Sequence, residues 1–352
     1  MPSAMKYSII VPVYNRPDEV GELLESLCTQ RVKDFETIVV EDGSEQTCEE
    51  VCGKYADRLR LKYFKKQNGG PGQARNYGAE RADGEWLIIL DSDVVLPPDY
   101  LQAIDSALAA DSGIAAFGGP DASHPSFTPV QKAISYSMTS FFTTGGIRGG
   151  KKKLDKFYPR SYNMGIRSEV YRALGGFSKM RFGEDIDFSY RIVEAGHQTA
   201  LIPEAWVWHK RRTDFRKFFR QVYNSGIARI NLEKRHPGTM KLVHLLPMVF
   251  TVGVVALVLV AAVARALIHY DAAHWHTWYV VCLAALSPLV LYSLLIMTDS
   301  ARKNGNLKVG LLSVPAAFVQ LMGYGFGFLE AWWKRCVQKK DEFQAFEKNF
   351  YK

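Results

Sequence analysis

Two aspartates one residue apart, Asp91 and Asp93, end the apolar run Trp86-Leu-Ile-Ile-Leu90. In an open α/β sheet, ligands bind outside the carboxyl ends of the strands. Two carboxylates at such a place resist burial unless a cation shares the site. Mg²⁺ takes one or two carboxylates and completes its shell with phosphate oxygens and water. The pair therefore suits a hard divalent metal, Mg²⁺ or Mn²⁺, bridging a diphosphate; a solvated turn is the plain alternative. A second acidic group, Glu184, Asp185 and Asp187, follows Gly183. By itself it reads as a helix start, where acids complement the helix dipole.

The elements that must position these residues alternate between strand and helix. Tyr7–Val13 is a β-branched apolar run entering a loop at Pro12-Val-Tyr14-Asn15, and Pro17 with Val20, Leu23, Leu24 and Leu27 predicts a helix. Strands are predicted at Glu36–Val40 and near Leu61–Phe64, a loop at Asn68–Gly72 and a helix over Gln73–Arg81. Such alternation implies a mainly parallel, Rossmann-like sheet with helices on both faces. The Gly-rich stretch Gly145–Gly150, followed by Lys151–Lys153, reads as a basic loop.

Of the 352 residues 47% are hydrophobic, but they are unevenly placed. Segments 245–264, 278–297 and 309–329 carry no charge, and each is long enough to cross a bilayer as a helix. The expected organisation is a catalytic domain over 1–208, an amphipathic interface region over 209–240, membrane segments within 241–330 and a basic tail over 331–352. Phe215, Phe218, Phe219 and Val222 stand at helical spacing among basic residues, the pattern of a helix lying on a membrane surface. Met1–Lys6 leads directly into a strand and not into an apolar leader, so the first domain is expected in the cytoplasm. The net charge of +8 collects beside the apolar segments, at Lys210–Arg220 and Lys334–Lys340, which points to anionic lipid and away from nucleic acid. The five cysteines form no metal or disulfide framework.

Taken in order, Val11-Pro12-Val-Tyr14-Asn15, Glu41-Asp42-Gly43-Ser44, Gly72-Gln-Ala-Arg75-Asn76, Asp91-Ser-Asp93, Gly183-Glu184-Asp185 and His209 resemble family 2 glycosyltransferases of the GT-A fold over residues 6–230. The tail is similar to that of bacterial polysaccharide-assembly members. The resemblance implies an inverting transfer of sugar from a nucleotide-diphosphate donor, by default a UDP-sugar, to a hydroxyl of a lipid-linked or cell-surface glycan. It implies a metal at Asp93, Asp91 and His209, and Asp185 as catalytic base with Glu184 as the runner-up. Pro12, Tyr14, Asn15, Glu41 and Asp42 fall on its nucleotide loops, Arg75 near the donor phosphates, and Asn163 beside the acceptor. The usual paired aspartates are departed from at Glu41. The Gln-x-x-Arg-Trp motif of processive members is replaced by Gln221-Val-Tyr-Asn224, so single-sugar addition is expected.

Transfer to polyprenyl phosphate stays open as an alternative, as does nucleotidyl transfer, though the latter has no evident use for Asp185. A dehydrogenase is disfavoured because no G-x-G-x-x-G follows the first strand. One conflict concerns topology. Arg302, Lys303 and Lys308 fit a cytoplasmic loop, yet three full crossings then place the basic tail outside, against the positive-inside tendency. Pro315 with Gly323, Gly325 and Gly327 suggests a third segment that is kinked, re-entrant or interfacial.

Overall fold

A computed structural model describes residues 5–122, 126–144, 157–271 and 273–349. The expected basic loop at 145–153 lies outside the described residues. Two compact units result, the first drawn from residues up to 122, from 157–210 and from 346–349, the second from 126–144 and 211–345.

The first unit opens with β1 (Tyr7–Val13), α1 (Pro17–Cys28), β2 (Phe35–Asp42), α2 (Glu49–Gly53), β3 (Leu61–Lys66), α3 (Pro71–Ala79) and β4 (Trp86–Leu90). It continues with β5 (Val94–Val95), α4 (Tyr100–Ala110), β6 (Ile114–Gly118) and β7 (Asp121–Ala122). After 157 come β8 (Asn163–Arg167), α7 (Ser168–Ala173), α8 (Glu184–Glu194), β9 (Gln198–Leu201) and β10 (Val207–His209). The main sheet has the order β3-β2-β1-β4-β8-β6-β9 and is parallel except at β8, which runs antiparallel to both neighbours. Its central strands are buried on both faces, so they read as continuous apolar runs. Alternation sorts their side chains: Ile9 and Val11 enter a core with Leu23, Leu27 and Leu101, while Ile10 enters the opposite core with Ile38, Ala74 and Phe188. A small second sheet, β5-β10-β7, lies at the carboxyl end of β4.

The second unit holds α5 (Pro129–Thr139), the short α6 (Phe141–Thr144), α9 (Phe215–Arg235), α10 (Leu246–Tyr270), α11 (Trp275–Asn304) and α12 (Leu307–Trp332). The last three helices are long and apolar enough to cross a membrane. They overrun the expected segments because the flanking polar turns remain helical. Two expectations need correction here. Residues 126–144 were counted with the catalytic domain, but Ala133, Ile134 and Met138 give α5 an apolar face that packs within the second unit. The α9 stripe is not reserved for lipid: Phe218 and Val222 are buried with Ile134, Met138 and Val319, and only Phe219 keeps substantial exposure. Helices α5 and α12 of the same chain cover much of the face that spacing alone assigned to the membrane.

Candidate functional site

β4 delivers Asp91 and Asp93 to its carboxyl end, and β5 begins directly after them. β10 pairs antiparallel with β5, with His209 opposite Val94, and the Lys210 N–H donates to the Asp93 carbonyl at 3.0 Å. That pairing sets the His209 imidazole beside the aspartates, with Nε2 3.3 Å from Asp93 Oδ1. One donor atom each from Asp91, Asp93 and His209 lies within 4.8 Å of the others. The imidazole stacks on Tyr162, ring centroids 5.1 Å apart, and its buried Nδ1 makes no hydrogen bond. Two carboxylates and one imidazole are a donor set that suits a divalent metal ion. The Arg16 guanidinium donates to the second oxygen of Asp93, so the centre already attracts a cation from its own chain.

A buried arginine ties this centre to the second acidic group. Arg75 donates to Asp91 Oδ1 at 2.8 Å and to Glu184 Oε1 at 3.0 Å, while its guanidinium lies over the Phe177 ring. Glu184 and Asp185 occupy the first turn of α8, which starts after Gly183 in a left-handed conformation. Asp185 accepts from Arg160 Nε at 2.9 Å. Burial opposes ionisation at both acids, with different results. At Asp185, Arg160 and Arg75 outweigh burial and hold the pKa below the usual aspartate value. At Glu184, burial aided by the Asp185 charge outweighs Arg75 and raises the pKa. The raised pKa that favours a base thus falls on the runner-up, so long as Arg160 stays on Asp185.

The remaining expected residues divide between positioning and exposure. Pro12 is not in a loop: it is buried inside β1, opposite Val40. Tyr14 is 52% exposed, an aromatic face free to stack on a base. Asn15, at φ 53°, braces one loop to another: its N–H donates to Ser44 Oγ, and its Oδ1 accepts from the Glu45 and Gln46 N–H groups. Glu41 is buried and accepts from Ser44 Oγ, the Cys48 N–H, Cys48 Sγ and Tyr63 Oη. Asp42 accepts from the Gly69 and Gly70 N–H groups and from Lys66 Nζ. Both acids therefore hold their own loops. Asn163 is buried, donates to the Ala205 carbonyl and accepts from Tyr100 Oη, which ties the start of β8 to α4 and to the segment before β10.

Arg16, Arg160 and Tyr162 were missed by sequence reasoning. Arg16 adjoins the first motif, and its place before Pro17 is legible as a helix cap. Nothing in the spacing of Arg160 or Tyr162 links them to Asp185 or His209, since β8 reaches them only through the sheet order.

Residues 8–175 match glycosyl transferase family 2. A chondroitin synthase from Escherichia coli is 26% identical over 235 residues, covering 58% of this chain and 34% of that protein. The poly(ribitol-phosphate) beta-N-acetylglucosaminyltransferase of Staphylococcus aureus is 40% identical over 102 residues, 28% of this chain and 18% of that protein. The chain thus spans about a third or less of the length of these two curated relatives. Among solved structures, a mannosyltransferase from Pyrobaculum calidifontis in complex with GDP-Man and Mn²⁺ aligns with TM-score 0.56 and 16% identity, over 95% of this chain and 89% of that one. At that identity the likeness concerns the fold. Over residues 8–175, the stretch that carries Asp91 and Asp93, the sequence is that of glycosyltransferase family 2, and the fold is GT-A.

Proposed function

We propose that the protein is a membrane-bound, metal-dependent, inverting glycosyltransferase that moves one sugar from a nucleotide-diphosphate donor to a hydroxyl of a lipid-linked or cell-surface glycan. The observation that carries this reading is Arg75, which joins the Asp91–Asp93–His209 centre to Glu184–Asp185 in one buried network. The network supports a leaving diphosphate bound beside an attacking hydroxyl.

Asp91, Asp93 and His209 would hold Mg²⁺ or Mn²⁺, which when bound neutralises charge growing on the diphosphate. Arg75 orients Asp91, and Tyr162 orients His209. Tyr14 offers a stacking surface for the base, and the loops braced by Asn15, Glu41 and Asp42 shape the surroundings. UDP is the default nucleotide. Asp185 takes the proton of the acceptor hydroxyl as its oxygen bonds to the anomeric carbon, and the bond to the diphosphate breaks on the opposite face. For that role Asp185 must leave Arg160, whose withdrawal removes the interaction that weakens it as a base. The apolar helices support membrane attachment, and the basic residues beside them support a catalytic unit on the cytoplasmic side of the inner membrane.

Arg160 favours one second reading, transfer to polyprenyl phosphate, because a guanidinium pairs well with an anionic acceptor. Such an acceptor is already deprotonated and needs no base. The test is binding and then turnover. Calorimetry on detergent-purified protein should show UDP or GDP binding that depends on Mn²⁺ and is lost in Asp93→Ala. Turnover on a saccharide-bearing lipid but not on bare polyprenyl phosphate supports the leading reading; the reverse pattern, insensitive to Asp185→Asn, supports the second.

A further inference from the structure

We propose that α12 does not cross the membrane. The α10–α11 hairpin alone spans the bilayer, and α12 lies across one end of it, at the lipid–water interface with α5 and α9. This rests on reading the chain as membrane-bound and settles how many times it crosses.

The level of α12 follows from its partners on α10. α10 and α11 run antiparallel, and the Phe250 and Tyr292 rings, 5.3 Å apart, mark a common depth close to the start of α10. Phe318 meets both rings, at 5.6 and 5.8 Å. The next turn of α12 brings the Leu321 carbonyl to Thr251 Oγ1 at 3.4 Å. One turn later, at Gly325, a Cβ would sit 2.0 Å from Thr251 Oγ1 and 2.7 Å from the Pro247 carbonyl. From Phe318 to Gly325 a helix advances about 10 Å, at roughly 1.5 Å per residue. Along α10 the contacts meanwhile go from Phe250 and Thr251 back to Pro247. A helix descending beside α10 would meet later residues of it with each turn. α12 instead crosses α10 once, near its beginning.

Past that crossing α12 follows α9. A Cβ on Gly226 would be 2.1 Å from the Tyr324 carbonyl, and one on Gly327 would be 2.0 Å from the Tyr223 carbonyl. Farther on, Arg335 Nε donates to Asn231 Oδ1 at 2.9 Å. The two helices run parallel in close backbone contact. α9 exposes Arg216, Lys217 and Arg220, and such charges are costly in hydrocarbon. A helix fastened along α9 shares its level. Burial agrees: 44% of the most apolar window of α12 is covered by protein, against 17% for α10 and 11% for α11. Two crossings also bring Arg302, Lys303, Lys308, Lys334, Arg335, Lys339 and Lys340 to one side with the α9 cations, as the positive-inside tendency requires.

The test uses the full chain with Cys28, Cys282 and Cys336 replaced by alanine. Single cysteines are introduced as Ala273→Cys, Arg302→Cys or Lys340→Cys, and cells are treated with a membrane-impermeant maleimide before or after permeabilisation. Lys340→Cys should label like Arg302→Cys and opposite to Ala273→Cys. Restoring native Cys336 supplies a second reporter at the end of α12 with no new side chain. Labelling of Lys340→Cys and Cys336 with the sidedness of Ala273→Cys would overturn the proposal. Release of the protein by an alkaline carbonate wash would instead defeat the membrane-bound reading beneath it, and this proposal with it.

Discussion

Glu41–Asp42 and Glu184–Asp185 are both adjacent acid pairs at the ends of elements, yet they are held in opposite ways. The donors to the first pair are mainly backbone N–H groups and short side chains of the surrounding loops: Ser44, Cys48, Gly69 and Gly70. The second pair is held from other elements by the long arms of Arg75 and Arg160. An amide donor cannot withdraw without remaking its loop, whereas a guanidinium can change partners when a ligand arrives. The first pair braces its own loops, and on the proposed reading the second is equipped to react.

The sharpest way to break this contrast is Asp185→Asn. Loss of a general base should lower transfer by about 10²–10⁴-fold while leaving nucleotide binding intact, read by single-turnover assay beside calorimetry. Equal turnover in the variant would move the proton role to Glu184, whose raised pKa already fits it. Next in size is competition at the metal centre. Arg16→Gln frees one Asp93 oxygen and should tighten Mn²⁺ binding without nucleotide by roughly tenfold, the scale of changes to groups around metal ligands. Weaker Mn²⁺ binding in that variant would show that Arg16 supports the centre.

At Glu41 the contrast predicts a stability effect. Glu41→Ala leaves buried donors unmatched and should cost about 1–3 kcal/mol, seen as a lower Tm with turnover per folded molecule retained. An unchanged Tm with lost nucleotide binding would put Glu41 back among the ligand contacts. The smallest effect is pH linkage. Wild-type Glu184, with its pKa raised on folding, loses stability as pH rises past the ordinary glutamate value of 4.5, and Glu184→Gln does not. The variant should therefore gain on wild type as pH increases above that value. Asp185 has the opposite sign: its stabilising contribution is present above the ordinary aspartate value of 3.8 and fades as pH falls below it. Asp185→Asn should thus be most destabilised above that point. Urea unfolding across the acid range measures both.

Much of the fold was legible because its signals are local. The strand Trp86–Leu90 has the predicted bounds, and β1 ends at Val13 as its β-branched run does. The Asp91–Asp93–His209 grouping came from the resemblance, and the β5–β10 pairing is what gives it a geometry. The loop-bracing bonds of Glu41, Asp42 and Asn163 were not legible, because a carboxylate or amide facing a ligand and one facing its own loop look identical in one dimension. The α9 stripe failed for a related reason. Helical spacing defines an apolar face but carries no record of whether protein or lipid covers it.

The pairing of β5 with β10 has a consequence for biogenesis. Val94 lies midway through the unit's sequence and His209 at the end of its last strand, so the imidazole cannot join the aspartates until nearly the whole unit has been synthesised. A nascent chain holds the two carboxylates long before it holds the histidine. High-affinity capture of metal would then mark a finished unit, and a chain truncated ahead of β10 should behave as a weak, poorly selective scavenger of divalent ions.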